Sequence, residues 1–232
     1  RITELYIDGK KIGRQESLCT PHIYDLNEYI GTGIHEMTIC VSNVGYKTKG
    51  GHLTSPDTQT NWNGITGRIE LIGYKNAHAE NVMLWCDIHS KTVRVTANIT
   101  GGKSGKAVIS AESFNSEKNH TPAVQSFEYT NGKLDALYKM GDDCLLWSEH
   151  EPNLYKLKID IDGDVSEHII GMREFRTEGG KFTINGEKTF LRGKHDGMIF
   201  PKTAFAPTDL EEWLRIMKIS KSYGMNHYRY HT

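Results

Sequence analysis

Apolar residues recur at every second position through several short runs of this chain, the period that a half-buried strand requires. Ile2, Leu5 and Ile7 lead into Asp8-Gly9, a two-residue hairpin signal, and Lys10 to Gly13 leads out of it. Ile23 to Leu26 and Gly33 to Val41 read as further strands, and Gly67 to Tyr74 closes this first group. Residues 46–66 are rich in Gly, Thr, Asn and Ser and predict a long surface loop that carries Trp62. From 78 to 176 a second group of short strands follows at the spacing of a β-sandwich. It comprises Val82 to Ile88, Thr92 to Ile99, Lys106 to Ser110 and Leu154 to Ile161, the last alternating along its whole length. Trp85 and Trp147 fall within these patterns and are expected in the core.

The period then changes. Phe182 to Leu191 reads as a hairpin on Asn185-Gly186, and Leu191 to Asp196 as a strand. Pro207-Thr208-Asp209 opens a helix, with Thr208 or Asp209 as its cap and Leu210, Trp213, Leu214, Met217 and Ile219 as its apolar face. Gly224 stops the helix, and Met225 to His231 reads as another strand. Strand, helix, strand is a βαβ unit, and a parallel sheet needs both faces covered. The tail therefore predicts the opening of a larger α/β domain whose remainder lies outside residues 1–232.

Composition narrows the field without naming a function. The 232 residues suit one to three domains, and 37% hydrophobic with 25% charged residues is an ordinary globular balance. A net charge of -1 with scattered basic residues gives no pull toward nucleic acid or an anionic membrane. No apolar run reaches the length of a membrane span, and no signal-peptide core opens the chain. Cys19, Cys40, Cys86 and Cys144 form no CxxC pair, so buried free thiols are expected rather than a zinc site. No helical HxxxH occurs, and neither a metal nor any other cofactor is expected. Gly101 to Lys106 lacks the glycine spacing of a phosphate loop and reads as a glycine-rich hairpin. Asn98-Ile99-Thr100 fits a glycosylation acceptor by pattern alone.

Four segments, in order, carry a resemblance. Leu5-x-Ile-Asp-Gly-Lys-x-Ile-Gly13 and Asn61-Trp62-Asn63-Gly64-Ile65-x-Gly67 are the first two. Leu146-Trp147-Ser148 with Pro152-Asn153-Leu154-Tyr155 is the third, and Phe182 to Gly193 with Tyr223 to His231 the fourth. Together they resemble family 2 glycoside hydrolases of the β-galactosidase type across nearly the whole chain. The resemblance implies a mainly β chain in three parts: residues 1–76 as part of a sugar-binding, galactose-binding-like jelly roll, 77–177 as an immunoglobulin-like β-sandwich, and 178–232 as the first strand, helix and strand of a TIM barrel, a (β/α)8 catalytic domain. It implies a retaining β-glycosidase that works with two glutamates, one acid/base and one nucleophile, ~5 Å apart in the active site. No Asn-Glu pair occurs within residues 180–232, so both glutamates are expected beyond Thr232 and the chain alone is expected to be inactive. Where the family usually continues Arg-Gly-Val-Asn-x-His, this chain reads Arg192-Gly193-Lys194-His195-Asp196.

The same resemblance nominates substrate-binding residues. In related barrels the arginine matching Arg229 supports the nucleophile carboxylate through a charge-assisted hydrogen bond, a surface ion pair being the alternative. His231 would project into the same mouth as a sugar-hydroxyl partner or serve a structural role. His195 and Asp196 would bind a sugar hydroxyl or cap the loop after the first barrel strand. Trp62 offers an aromatic face for a sugar, and packing in a sandwich core or an interdomain seam is the weightier alternative. The implied partner is carbohydrate, a β-galactoside or related glycoside, with no nucleic acid or membrane. Unpaired sheet edges in partial domains favour self-association, a homo-oligomer among the outcomes. A secreted or periplasmic parent is compatible with the sequence, which fixes no compartment. The competing class is a non-catalytic carbohydrate-binding or adhesin-like sandwich module, and the βαβ tail argues against it.

Overall fold

A computed structural model describes residues 1–17, 20–45, 64–65, 67–197, 200, 202–203 and 206–230. The chain divides into two units, Arg1–Glu70 with Arg192–Thr232, and Leu71–Leu191. Among the described residues it is mainly β, with fifteen strands and one helix.

In the first unit, β1 (Ile2–Ile7) is the centre of a three-stranded antiparallel sheet between β2 (Lys10–Glu16) and β3 (Met37–Ser42). Asp8 and Gly9 both take positive φ, 49° and 75°, as the tight turn between β1 and β2 demands. Ile2, Leu5 and Ile7 are buried, as their pattern predicts. Ile23 to Leu26 forms no strand. Side chains hold it instead: the Gln15 amide bonds both the N–H and the C=O of Ile23, and the Tyr24 hydroxyl donates to Thr3 O at 3.0 Å. Cys40 is exposed rather than buried, because β3 has no layer over that face among the described residues.

The second unit is built on a seven-stranded antiparallel sheet. Its strands are β4 (His78–Asp87), β5 (Thr92–Thr100), β6 (Ser104–Ser113), β7 (Gln125–Thr130), β8 (Lys133–Lys139), β9 (Tyr155–Ile161) and β10 (Asp164–Ile170). The order β10-β9-β6-β7-β8-β5-β4 bends at the β7–β8 hairpin, and β4 returns beside β9 and β10, so the sheet folds on itself like a sandwich. Alternation supplies the core between the layers: Val93, Val95, Ile109, Tyr138, Tyr155, Leu157, Ile159 and Ile161 are each fully buried. Small residues face large ones across β6 and β9, with Ala107 opposite Ile161 and Ala111 opposite Leu157. The Tyr155 hydroxyl accepts from Leu145 N at 2.8 Å and meets His120 Nδ1 at 2.7 Å, which satisfies the one polar atom this ring carries inward.

Four expectations fail here for physical reasons. The glycine-rich Gly101 to Lys106 is no hairpin, because β5 pairs with β4 and β8 while β6 pairs with β7 and β9. The segment crosses between layers, and its glycines give room to a buried ring: a Cβ on Gly102 or Gly105 would lie 2.6 or 2.7 Å from the Tyr129 hydroxyl. Gly67 to Tyr74 is not a strand, since none of the described strands runs beside it, and Ile69, Leu71 and Ile72 are exposed. Trp85 is on the outer face of the edge strand β4, 47% exposed, with the Arg94 guanidinium over its ring, while Val82, Leu84 and Cys86 take the inward positions. Trp147 is half-buried, its ring against Gly171 and under the Arg173 guanidinium at 4.7 Å. Cys86 and Cys144 do line the core, and burial pushes the Cys86 thiol up to about 11. Cys19 and Trp62 lie outside the described residues.

A small sheet closes the second unit, with β11 (Phe175–Glu178), β12 (Lys181–Ile184) and β13 (Glu187–Lys188). Asn185 and Gly186, at φ 53° and 80°, make the expected tight turn between β12 and β13.

Candidate active-site strands

The last forty residues hold the chemistry-bearing positions, in β14 (Gly193–Asp196), α1 (Leu210–Ser222) and β15 (His227–Tyr230). β14 and β15 pair in parallel, which requires a crossover between them, and α1 lies within that crossover. Asp209 is the helix cap, its carboxylate accepting from Glu212 N at 2.8 Å, and Glu211 and Glu212 suit the positive end of the helix dipole. At the other end, Met225 N bonds Ser220 O, Gly224 N bonds Lys221 O, and Gly224 takes φ 79°. This is a Schellman ending, which glycine makes without strain. The covered side of the helix runs through Trp213, Ile216, Met217 and Ser220. Leu210, Leu214 and Ile219, expected on that face, are 70%, 45% and 47% exposed. A stripe drawn through every apolar residue of the helix is too wide for one contact.

Register in the parallel pair is set before the ladder begins. Arg192 N donates to Asn226 Oδ1 at 2.8 Å, Asn226 N returns to Arg192 O at 3.0 Å, and Arg192 Nε reaches Gly224 O at 2.7 Å. Gly193 then pairs with His227, Lys194 with Tyr228, His195 with Arg229 and Asp196 with Tyr230. Alternation sends these pairs to opposite faces. Lys194, Asp196, Tyr228 and Tyr230 share the helix side: Tyr230 meets Trp213 edge-on at 6.0 Å, and the Tyr228 hydroxyl bonds Ser220 Oγ. Asp196 is buried there and accepts from Lys194 Nζ at 2.8 Å, and this bond raises the Lys194 pKa above the ordinary lysine value.

The other face carries His195 and Arg229, with Arg229 Nη1 2.9 Å from His195 Nε2. His227 shares that face and lies flat against Gly193, whose missing Cβ would stand 2.0 Å from His227 Cε1. Of the nominated residues, the structure brings His195 and Arg229 together and puts Asp196 on the opposite side of the sheet, while His231 and Trp62 lie outside the described residues. Asn226, Gly193 and His227 were not singled out from sequence. For His227 the signal is parity with Arg229 along the strand; Asn226 and Gly193 take their roles from partners across the crossover, which the sequence does not display. Among the described residues no cluster of His, Cys, Asp and Glu could hold a metal, and no helix is long and apolar enough to cross a membrane.

Comparison with known proteins finds likenesses along most of the chain. Residues 77–173 match the family model described as glycosyl hydrolases family 2. A β-galactosidase from Thermoanaerobacter pseudethanolicus is 26% identical over 243 residues, covering 98% of this chain and 32% of that protein. A β-galactosidase from Leuconostoc mesenteroides is 22% identical over 238 residues, covering 96% of this chain and 22% of its own length. The chain thus spans a third or less of these two curated relatives. Among solved structures, a GH2 β-galacturonidase from Eisenbergiella tayi bound to galacturonate superposes with a TM-score of 0.67 at 19% identity, covering 99% of this chain and 41% of that one. A Parabacteroides merdae β-glucuronidase gives 0.69 at 17%, covering 99% and 32%. The likeness is thus to glycosyl hydrolase family 2 over residues 77–173 and, along most of the chain, to β-galactosidases in sequence and to a β-galacturonidase and a β-glucuronidase in fold.

Proposed function

We propose that this chain is part of a retaining β-glycosidase, nearest in kind to a β-galactosidase, and that its own residues frame the substrate site rather than break the bond. In this reading residues 1–76 are part of a jelly-roll sandwich, 77–177 an immunoglobulin-like sandwich, and 178–232 the first strand, helix and second strand of a (β/α)8 barrel. The observation that carries it is the parallel β14–α1–β15 unit, with His195 and Arg229 together on the face away from the helix. In such a barrel that face lines the interior, and the C-terminal ends of the strands carry the chemistry. Arg229 there holds an anionic carboxylate ionised by charge-assisted hydrogen bonding. His195, and His231 two residues beyond Arg229, supply contacts to sugar hydroxyls, and Trp62 an aromatic surface for the ring. Asp196, under the helix and bonded to Lys194, supports the strand from behind.

Retaining hydrolysis needs one carboxylic acid to protonate the leaving oxygen and a second carboxylate to attack the anomeric carbon. Residues 180–232 contain no Asn-Glu pair, the sequence context in which the family resemblance puts the acid. The polypeptide encoded by the complete reading frame is expected to hydrolyse an aryl β-galactoside with the β-anomer released first, as proton NMR of the fresh product would read. Residues 1–232 alone are expected to show no turnover above the buffer rate. Enzymatic turnover by the isolated chain, or α-anomer as the first product of the longer polypeptide, would refute the proposal.

A further inference from the structure

We propose that His195 is a positioning residue that aims the Arg229 guanidinium, through an unprotonated Nε2 and a proton held on Nδ1. The argument starts from hydrogen-bond inventory. A guanidinium has five N–H donors and no acceptor, so in the 2.9 Å contact between Arg229 Nη1 and His195 Nε2 the histidine nitrogen must accept. Its ring is then neutral, and its proton is confined to Nδ1. Register makes this pairing a property of the sheet: His195 and Arg229 are direct partners across the parallel ladder, and the Arg192–Asn226 bonds fix that ladder one residue earlier.

The surroundings agree with an acceptor role. The charged neighbours on the same strand, Lys194 and Asp196, engage each other on the helix side, with Tyr228 and Tyr230 packed there from β15. Among the described residues, His227 also lies on the His195 face, seated on Gly193 with a buried Nδ1 that makes no hydrogen bond. The Arg229 guanidinium opposite His195 has donors only, so Nε2 is the atom of the pair that can accept. An exposed arginine chain has wide rotamer freedom, and anchoring one Nη turns the rest of the planar fork in a set direction. The use of that direction, to meet a carboxylate or sugar oxygen, rests on the glycosidase reading. The tautomer does not.

The test is a two-bond proton–nitrogen correlation spectrum of the histidines in the 15N-labelled chain above neutral pH. His195, assigned by its disappearance in His195→Gln, is expected with Nε2 in the unprotonated range far downfield and Nδ1 protonated. Arg229→Met is expected to shift it toward the Nε2–H form that histidine favours without a partner. As a second readout, slowed rotation of the Arg229 guanidinium is expected in the wild type and in His195→Gln, whose amide oxygen can accept, and is expected to be lost in His195→Phe. Protonation on Nε2 in the wild-type spectrum, which needs no variant to fold, would overturn the inference. So would a His195 pattern unchanged in Arg229→Met. Either result would leave the glycosidase reading standing, because no hydrolysis enters the measurement.

Discussion

Ile159→Ala is expected to destabilise the Leu71–Leu191 unit by about 2–5 kcal/mol, against a total stability of about 5–15 kcal/mol for an ordinary domain. Ile159 is 0% exposed, lies in β9, one strand in from the sheet edge, and is flanked in the ladder by Ile109 on one side and Ser166 on the other. Deleting its branched side chain removes apolar area and leaves a cavity between two layers that cannot close. The strands on either side are fixed by their own ladders. Ile169→Ala on β10 is the control, since Ile169 is 61% exposed and its loss should stay within about 0.5 kcal/mol. Urea unfolding of the three chains, followed by near-ultraviolet circular dichroism, separates the two effects. Equal shifts for both variants would mean that the buried layer described here is not the core.

Gly193→Ala is expected to break the parallel pair. The new methyl would stand 2.0 Å from His227 Cε1 and 2.6 Å from His227 Nδ1, well inside any real contact. The backbone beside His227 is held by the Asn226–Arg192 bonds, so relief must come from swinging the ring out of its place against β14 or from parting the two strands. Overpacking of this kind costs about 1–3 kcal/mol, here concentrated on a ladder of four residue pairs. The expected result is rapid amide exchange across β14 and β15 in Gly193→Ala, restored toward the wild-type rate in Gly193→Ala/His227→Ala. Slow exchange in the single variant would contradict the placement of His227.

How much of this could be read from sequence follows the nature of each signal. Turn chemistry read through cleanly: Asp8-Gly9 and Asn185-Gly186 need positive φ at both positions, a requirement local to two residues. The helix ends were equally legible, because Asp209 and Gly224 act on backbone within a turn of themselves. Strict alternation also served in β9, where Tyr155, Leu157, Ile159 and Ile161 all point inward. Alternation fails where the deciding fact is a partner. Gly67 to Tyr74 has a strand's pattern but none of the described strands pairs with it, and Ile23 to Leu26 is held by Gln15 and Tyr24 instead of a ladder. Trp85 was misread because period 2 does not say which set faces in, and on β4 the aromatic belongs to the outer set.

The candidate site divides in the same way. Residue types near the strand ends were visible, and so was the parity that unites Arg229 with His231. That His195 would meet Arg229 while Asp196 turned to Lys194 depends on the register across a crossover of some thirty residues, and no local pattern encodes that. Gly193 shows the limit from the other side. Its need for glycine comes from the His227 ring on a different strand, which a reading of Arg192-Gly193 alone cannot supply.

The central claim is that β14, α1 and β15 open a glycosidase barrel, and the most direct measurement is the nucleotide sequence that follows the codon for Thr232. The account predicts an open frame with an Asn-Glu pair roughly 60–110 residues on and a second isolated Glu about 100 residues later, where the fourth and seventh strands of an eight-stranded barrel would put them. A stop codon directly after Thr232, or a continuing frame with no such glutamates, would contradict it and leave a carbohydrate-binding sandwich module as the reading to pursue.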